Sequence, residues 1–84
     1  MKLNRMILHS LGDSELQANT LYVKVQEEHI VDEKAYNPWN FHKAMEGLIR
    51  KGLIGYTEQN GIIRYRLTKK GEIYLETLKG DVTI

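Results

Sequence analysis

The sequence predicts an α+β fold that contains four helices and one two-stranded antiparallel hairpin. Asn37-Pro38 is a helix start signal in the middle of the chain, and Asn60-Gly61 is a strong signal for a tight hairpin turn. Apolar residues recur at helical spacing before and after the hairpin segment. With 84 residues, 42% of them hydrophobic, and no cysteine, we expect one domain over residues 1–84 that needs no disulfide or thiolate zinc site.

The first helix is predicted over residues 1–12. Its apolar residues recur at spacings of three and four and so share one face: Leu3, Met6, Ile7 and Leu11. Gly12 and Asp13 end it. Residues 14–17 follow as a short strand or as an extended connection, and the sequence leaves both alternatives open.

The second helix is predicted over residues 19–29, with Asn19 or Thr20 as its cap. Leu21 and Val25 face inward, and Tyr22 is a further candidate for that face. The segment that follows it is an acidic loop, which ends at the cap of the third helix.

The third helix is predicted over residues 38–51, capped by Asn37 and ended before Gly52. One side of this helix is apolar and carries Phe41, Ala44, Met45 and Leu48. The opposite side carries Trp39, Lys43, Glu46 and Arg50. Asn40 and His42 lie on the flanks between the two sides.

A hairpin is predicted over residues 53–67, because a type I′ turn at Asn60-Gly61 requires positive φ at both central residues. This turn sets the pairing of the strands, which opposes Ile54 to Leu67, Tyr56 to Tyr65 and Glu58 to Ile63. These six residues then form the buried face. The outer face of the hairpin carries Gly55, Thr57, Arg64 and Arg66.

The fourth helix is predicted over residues 68–79, with Thr68 as its cap and Gly80 as its end. Its apolar residues, which include a core stripe, are Ile73, Tyr74, Leu75 and Leu78. We expect one core to include the following residues: Phe41, Met45, Leu48, Ile54, Leu67 and Leu75.

The net charge of +1 conceals a regional distribution. Residues 1–38 carry four basic and six acidic side chains, whereas residues 39–70 carry seven basic and two acidic ones, a net charge of +5. Residues 71–84 carry one lysine and three acidic residues. Such a basic region is typical of a surface that binds nucleic acid, although solvated faces also collect charge by chance.

The stretch FHKAMEGLIRKGLIGYTEQNGIIRYRLTKKGEIYLE resembles the winged helix-turn-helix domains of PadR-type and MarR-type transcriptional regulators. Its third helix ends in LIRKGLI, a short hairpin with a glycine turn follows, and RYRLTKKG leads into an aromatic-bearing helix. The resemblance covers residues 38–79. It implies that the third helix enters a major groove of duplex DNA and that the hairpin, or wing, lies over the neighbouring backbone or minor groove.

Residue chemistry supports this implication independently. Asn40 can pair with adenine, and Lys43 and Arg50 can reach guanine edges or phosphates. Arg64 and Arg66 suit phosphate contacts because a guanidinium fork matches phosphate oxygens. The candidate DNA-binding residues are Trp39, Asn40, His42, Lys43, Arg50, Arg64 and Arg66. Trp39 has the alternative of packing as a lid over the acidic loop, and Lys69 and Lys70 are expected to be solvated.

Other classes of function have little support. The sequence has neither a glycine-rich phosphate loop nor a nucleophile motif, so we expect no enzyme and no cofactor. His9, His29 and His42 lie on three predicted segments without ligand spacing, so a metal site would require the fold to bring them together. No apolar stretch has the length of a membrane span and no export signal is apparent, so we expect a cytoplasmic protein.

Two alternatives concern partners. A winged helix can instead serve as a protein-binding module without DNA binding, since a fold does not fix a function. The acidic first half, the small net charge and Trp39 favour that alternative. A homodimer is also possible, and the first helix, with Met6 and Ile7, and the fourth, with Tyr74, Leu75 and Leu78, offer apolar side chains for it.

Overall fold

The computed structural model describes residues 3–29 and 36–82, the last four of them for the backbone only. The elements in chain order are α1 (Leu3–Leu11), α2 (Ala18–His29), α3 (Pro38–Arg50), β1 (Ile54–Gln59), β2 (Ile62–Leu67) and α4 (Lys69–Val82). The predicted α+β class and the order of its elements are therefore confirmed. Within the described ranges, no helix combines the length and the apolar character needed to cross a bilayer.

Helices α1 and α2 supply the most deeply buried side chains. Five apolar residues of these helices have no exposed surface: Ile7, Leu8, Leu11, Leu21 and Val25. Leu8 lies outside the apolar face predicted for the first helix. It is buried because α1 contacts α2, α3, α4 and β2, so that more than one side of this helix is covered.

Three aromatic rings join α2 to the start of α3. Tyr36, which sequence analysis placed in a loop, is buried, and its hydroxyl donates a 2.6 Å hydrogen bond to the Tyr22 carbonyl. The Tyr22 and Tyr36 rings stack with centroids 4.6 Å apart, and Tyr22 meets Phe41 edge to face at 5.3 Å. Burial, with the neighbouring Tyr22, raises the pKa of the Tyr36 phenol well above its usual value.

Helix α3 begins as predicted. Asn37 has an extended backbone, and its side-chain oxygen accepts a 2.8 Å hydrogen bond from the Asn40 backbone N–H. Pro38 occupies the first turn, where its missing N–H costs nothing. Phe41, Met45 and Leu48 are buried, which confirms the predicted phase of this helix.

The hairpin has the predicted turn and the predicted register. Asn60 and Gly61 have φ of 54° and 80°, and the strand pairs include Ile54 with Leu67 and Tyr56 with Tyr65. Leu16 pairs with the free edge of β2 through two backbone hydrogen bonds to Tyr65, of 3.0 and 2.8 Å. Residues 14–17 therefore form neither a full strand nor a wholly unpaired connection, because Leu16 alone makes a β-bridge.

Only the base of the hairpin is buried. Ile54 and Leu67 belong to the core, and Tyr65 packs against it half-buried. Tyr56, however, is 55% exposed, so the prediction that Tyr56 lies on a buried face of the hairpin is wrong. Ile63, next along this face, is also exposed, because the strands extend beyond the helices that cover the base of the hairpin.

Thr68 links α4 to the end of α3. Its hydroxyl accepts a 3.0 Å hydrogen bond from the Gly71 N–H and donates a 2.5 Å hydrogen bond to the Gly52 carbonyl. A Cβ on Gly71 would lie 2.0 Å from the Leu53 carbonyl oxygen, so the first turn of α4 packs directly on backbone. Lys70 Nζ donates to the Lys51 carbonyl at 3.0 Å, which satisfies an acceptor at the end of α3.

Helix α4 is longer than predicted and less buried. It continues through Gly80 to Val82, so the prediction that Gly80 ends it is wrong; a glycine inside a helix costs only about 1 kcal/mol. Leu75 belongs to the core and Leu78 is half-buried, whereas Ile73 and Tyr74 are exposed. All six residues predicted for one core are found in it.

Candidate nucleic-acid interface

The exposed side of α3 presents Trp39 and Lys43 together. Trp39 is 68% exposed, and Lys43 Nζ lies 5.6 Å from the centroid of its ring. A cation over an indole face is attracted by the ring quadrupole, so this contact orients the ammonium group. The alternative in which Trp39 covers the acidic loop concerns residues 30–35, which lie outside the described residues.

His42 and Glu46 form a pair on the same side of the helix. His42 Nε2 lies 2.8 Å from Glu46 Oε1, and both side chains are more than half exposed. They are four residues apart and therefore one turn apart on α3. This pair places one carboxylate within a surface that is otherwise polar or basic.

Asn40 and Arg50 occupy the two ends of α3. Asn40 is half-buried in the first turn, with its backbone N–H held by the cap residue Asn37. Arg50 is exposed in the last turn. The residues predicted for this helix thus extend along its whole length.

An open cleft separates α3 from the hairpin. Its lining consists of Glu46, Ile49 and Arg50 from α3 and Tyr56, Ile63 and Tyr65 from the strands. The Tyr56 and Tyr65 rings lie 6.0 Å apart at a tilt of 54°. The cleft could not be predicted from the sequence, because strand alternation assigns this hairpin face to the core and does not indicate how far a core extends along a strand.

Arg64 and Arg66 lie on the outer face of the hairpin, as predicted. In the observed register they oppose Thr57 and Gly55, and alternation directs them away from the face that carries Tyr56 and Tyr65. Arg66 is exposed and Arg64 is half-buried. The structure therefore brings Trp39, His42 and Lys43 together on α3, but the two strand arginines do not line the cleft beside Arg50.

A second cluster lies away from this interface and was missed. His9 and His29, from α1 and α2, approach to 3.1 Å between ring nitrogens, beside Glu28. Burial and the neighbouring His9 lower the pKa of His29. No short-range motif could have revealed the contact, because the two histidines are 20 residues apart in sequence.

Three helices, a hairpin and a closing helix, with α3 and the hairpin exposed side by side, define a winged helix-turn-helix fold. Among solved structures, SSV1 F-93 superposes with a TM-score of 0.72 and 27% sequence identity, over 95% of this chain and 84% of that one. A PadR family transcription regulator from hypervirulent Clostridium difficile R20291 superposes with a TM-score of 0.71 and 21% identity, over 93% of this chain and 83% of that one. The predicted resemblance to PadR-type regulators is thereby confirmed at the level of the fold.

Comparison with models of protein families and with curated protein sequences gives no match. The likeness is therefore one of three-dimensional structure.

Proposed function

We propose that this protein is a sequence-specific duplex-DNA-binding regulator that acts in the cytoplasm. In this proposal α3 enters the major groove and the wing contacts the neighbouring backbone. The observation that carries it is the exposed side of α3, where Trp39, His42 and Lys43 are accessible over the first two turns. The likeness to a solved structure of a PadR family transcription regulator supports the same conclusion.

The two exposed elements would have different tasks. Asn40 offers an amide that can pair with adenine, and Lys43 and Arg50 offer donors to guanine edges or phosphates. Trp39 would hold the Lys43 ammonium group over its ring, 5.6 Å from the centroid, and so limit the directions in which that donor points. Base contacts of this kind select a sequence, whereas phosphate contacts fix position.

The outer face of the hairpin would supply phosphate contacts. Arg64 and Arg66 are two residues apart on one strand and hence on one face. Because this face is turned away from the cleft, the wing would meet a stretch of backbone separate from the groove that α3 occupies. Two separate cationic surfaces would give a longer footprint on the duplex than α3 alone.

The test is selection of binding sites from random duplex DNA at stated salt, repeated with Asn40→Ala. We expect a preferred site for the original protein and a loss of preference at one base pair in the variant, worth about 1 to 3 kcal/mol. Thr57→Ala, on the outer face of the wing, is the control and should leave every preference unchanged. Identical site preferences for the original protein and for Asn40→Ala would contradict the assigned role of Asn40.

The cleft favours a second candidate, a protein-binding module without DNA binding. The cleft is lined with apolar surface from Tyr56, Ile63 and Ile49, beside the Glu46 carboxylate. This composition suits an apolar side chain of a bound peptide. If the purified protein showed no salt-sensitive affinity for any DNA duplex, that result would favour the protein-binding function. Tyr56→Ala should then abolish capture of the partner while leaving the fold intact, since Tyr56 is 55% exposed.

We also propose a homodimer, with a correction to the residues expected to form it. Ile7 and Leu75 are buried in the core and unavailable to a second copy. Among the α4 side chains that the structure describes, the exposed large apolar ones are Ile73, 58% exposed, and Tyr74, 45% exposed. Sedimentation equilibrium of the original protein and of Ile73→Ser tests this: a dimer that dissociates in the variant supports the contact, and a monomer in both excludes it.

A further inference from the structure

The cluster of His9, Glu28 and His29 brings three metal-binding groups to one place. His9 Nδ1, from α1, lies 3.1 Å from His29 Nε2, from the last turn of α2. His29 Nε2 is 4.0 Å from Glu28 Oε1, and the three donor atoms all lie within 4.8 Å of one another. Two nitrogens bound tetrahedrally to one zinc ion stand about 3.3 Å apart, so the imidazole pair already has nearly the required separation.

The surroundings hold these groups in place. Ser10, which is 1% exposed, donates a 2.7 Å hydrogen bond to Glu28 Oε1 and so fixes the carboxylate beside the rings. The His29 side chain is only 12% exposed, and its ring meets that of His9 edge to face with centroids 5.0 Å apart. In metal sites, neighbouring residues commonly hold the ligands in place by hydrogen bonds, as Ser10 holds the Glu28 carboxylate here.

The local charge favours a cation. A pocket beside His9 is bordered by three carboxylates, those of Asp13, Glu72 and Glu76. These carboxylates lie on the His9 side of the cluster, and Glu28 supplies the carboxylate beside His29. By contrast, the other histidine, His42, lies on α3 and is paired with Glu46.

We propose that His9, Glu28 and His29 bind one divalent transition-metal ion of the zinc type, which joins α1 to the end of α2. Imidazole nitrogens select ions such as Zn²⁺, Co²⁺ and Ni²⁺ over Mg²⁺ and Ca²⁺, which prefer oxygen ligands. Three protein ligands leave a fourth position for water. None of the ligands belongs to α3 or the wing, so the site is independent of the proposed DNA binding.

The test is competition for Zn²⁺ between the metal-free full chain and a chromophoric chelator at pH 7.5, without DNA. We expect one ion per chain, an affinity at least tenfold lower in His9→Ala and in His29→Ala, and a smaller loss in Ser10→Ala. His42→Ala is the matched control and should bind as the original protein does. Mg²⁺ should not compete. Equal affinity in the original chain and in His29→Ala, or an equal loss in His42→Ala, would overturn the proposal.

Nuclear magnetic resonance of the imidazole nitrogens keeps the proposal testable if a variant fails to fold. Addition of one equivalent of Zn²⁺ to the unmodified chain should shift Nδ1 of His9 and Nε2 of His29 and leave the ring nitrogens of His42 in place. Shifts at His42 alone, or at no histidine, would show that the cluster is a hydrogen-bonded pair of rings and not a metal site.

Discussion

At the scale of single residues, Thr68 joins three parts of the chain through one hydroxyl. The oxygen caps α4 by accepting from the Gly71 N–H and donates to the Gly52 carbonyl after α3. The Thr68 backbone N–H also donates to the Leu53 carbonyl at 3.1 Å. The same residue therefore ends the hairpin, starts α4 and satisfies an acceptor at the exit of α3.

Replacement of Thr68 tests this role. Thr68→Ala should lower the free energy of unfolding by about 1 to 2 kcal/mol, since it removes a helix cap and leaves the Gly52 carbonyl without that donor. Thr68→Ser keeps the hydroxyl and should retain most of the stability. Urea unfolding of the three proteins measures the difference, and an equal loss in both variants would assign the effect to the methyl group instead.

Gly71 provides a second test, of close packing against backbone. A Cβ at this position would lie 2.0 Å from the Leu53 carbonyl oxygen, so Gly71→Ala should destabilise the protein by about 1 to 3 kcal/mol. Gly47→Ala in α3 is the matched control, because a Cβ there would meet no atom within 4 Å apart from its own stretch of helix, and it should be neutral or stabilising by up to about 1 kcal/mol. Thermal unfolding in which both variants shift alike would contradict the packing of α4 on Leu53.

At the scale of elements, α3 is both part of the core and part of the candidate interface. Its inner side buries Phe41, Met45 and Leu48, while its outer side exposes Trp39 and Lys43. A helix with its inner side held in this way presents its outer side rigidly. The orientation of the proposed DNA contacts therefore depends on the packing of the apolar side.

The packing of α3 is tested at Leu48, which is 1% exposed. Leu48→Ala should lower the free energy of unfolding by about 2 to 5 kcal/mol, through lost burial and the cavity that remains. Lys43→Ala, on the outer side of the same helix, should change stability by less than about 0.5 kcal/mol. An unchanged melting midpoint for Leu48→Ala would contradict the buried position of this side chain.

The elements with strong local signals could be predicted from sequence. The start of α3 follows from Asn37 and Pro38, and the turn from Asn60 and Gly61, because these residues act on their own backbone. The burial of Tyr36 and the exposure of Tyr56 could not be predicted in this way. Both depend on which distant elements cover a residue, and the alternation of a strand or the composition of a loop carries no such information.

At the scale of the whole molecule, contacts between residues distant in sequence form the features that local sequence patterns could not predict. The contact of His9 with His29 depends on the packing of α1 against α2, and the cleft depends on the angle between α3 and the hairpin. The candidate residues on α3 could be predicted because helical periodicity fixes which side faces outward. Their relation to Arg64 and Arg66 could not, since it depends on how two elements are placed relative to each other.

Substitutions in α3 and in the wing should change DNA binding in different ways. Loss of a phosphate contact weakens binding to all sequences alike, whereas loss of a base contact relaxes the choice of sequence. We also expect the loss of a positive charge to weaken DNA binding only where that charge lies on α3 or on the outer face of the wing. Lys69, exposed at the start of α4, therefore serves as a control with the same charge change.

The most direct test is the salt dependence of duplex affinity, measured by fluorescence anisotropy for the original protein, Arg64→Ala, Arg66→Ala and Lys69→Ala. We predict salt-sensitive binding, a slope of log affinity against log salt that becomes shallower by about one for each arginine removed, and an unchanged slope for Lys69→Ala. The triple variant at Arg50, Arg64 and Arg66 should lose most of its affinity. Binding that is absent for every duplex, or unchanged in the triple variant, would contradict the proposal that this winged helix binds DNA.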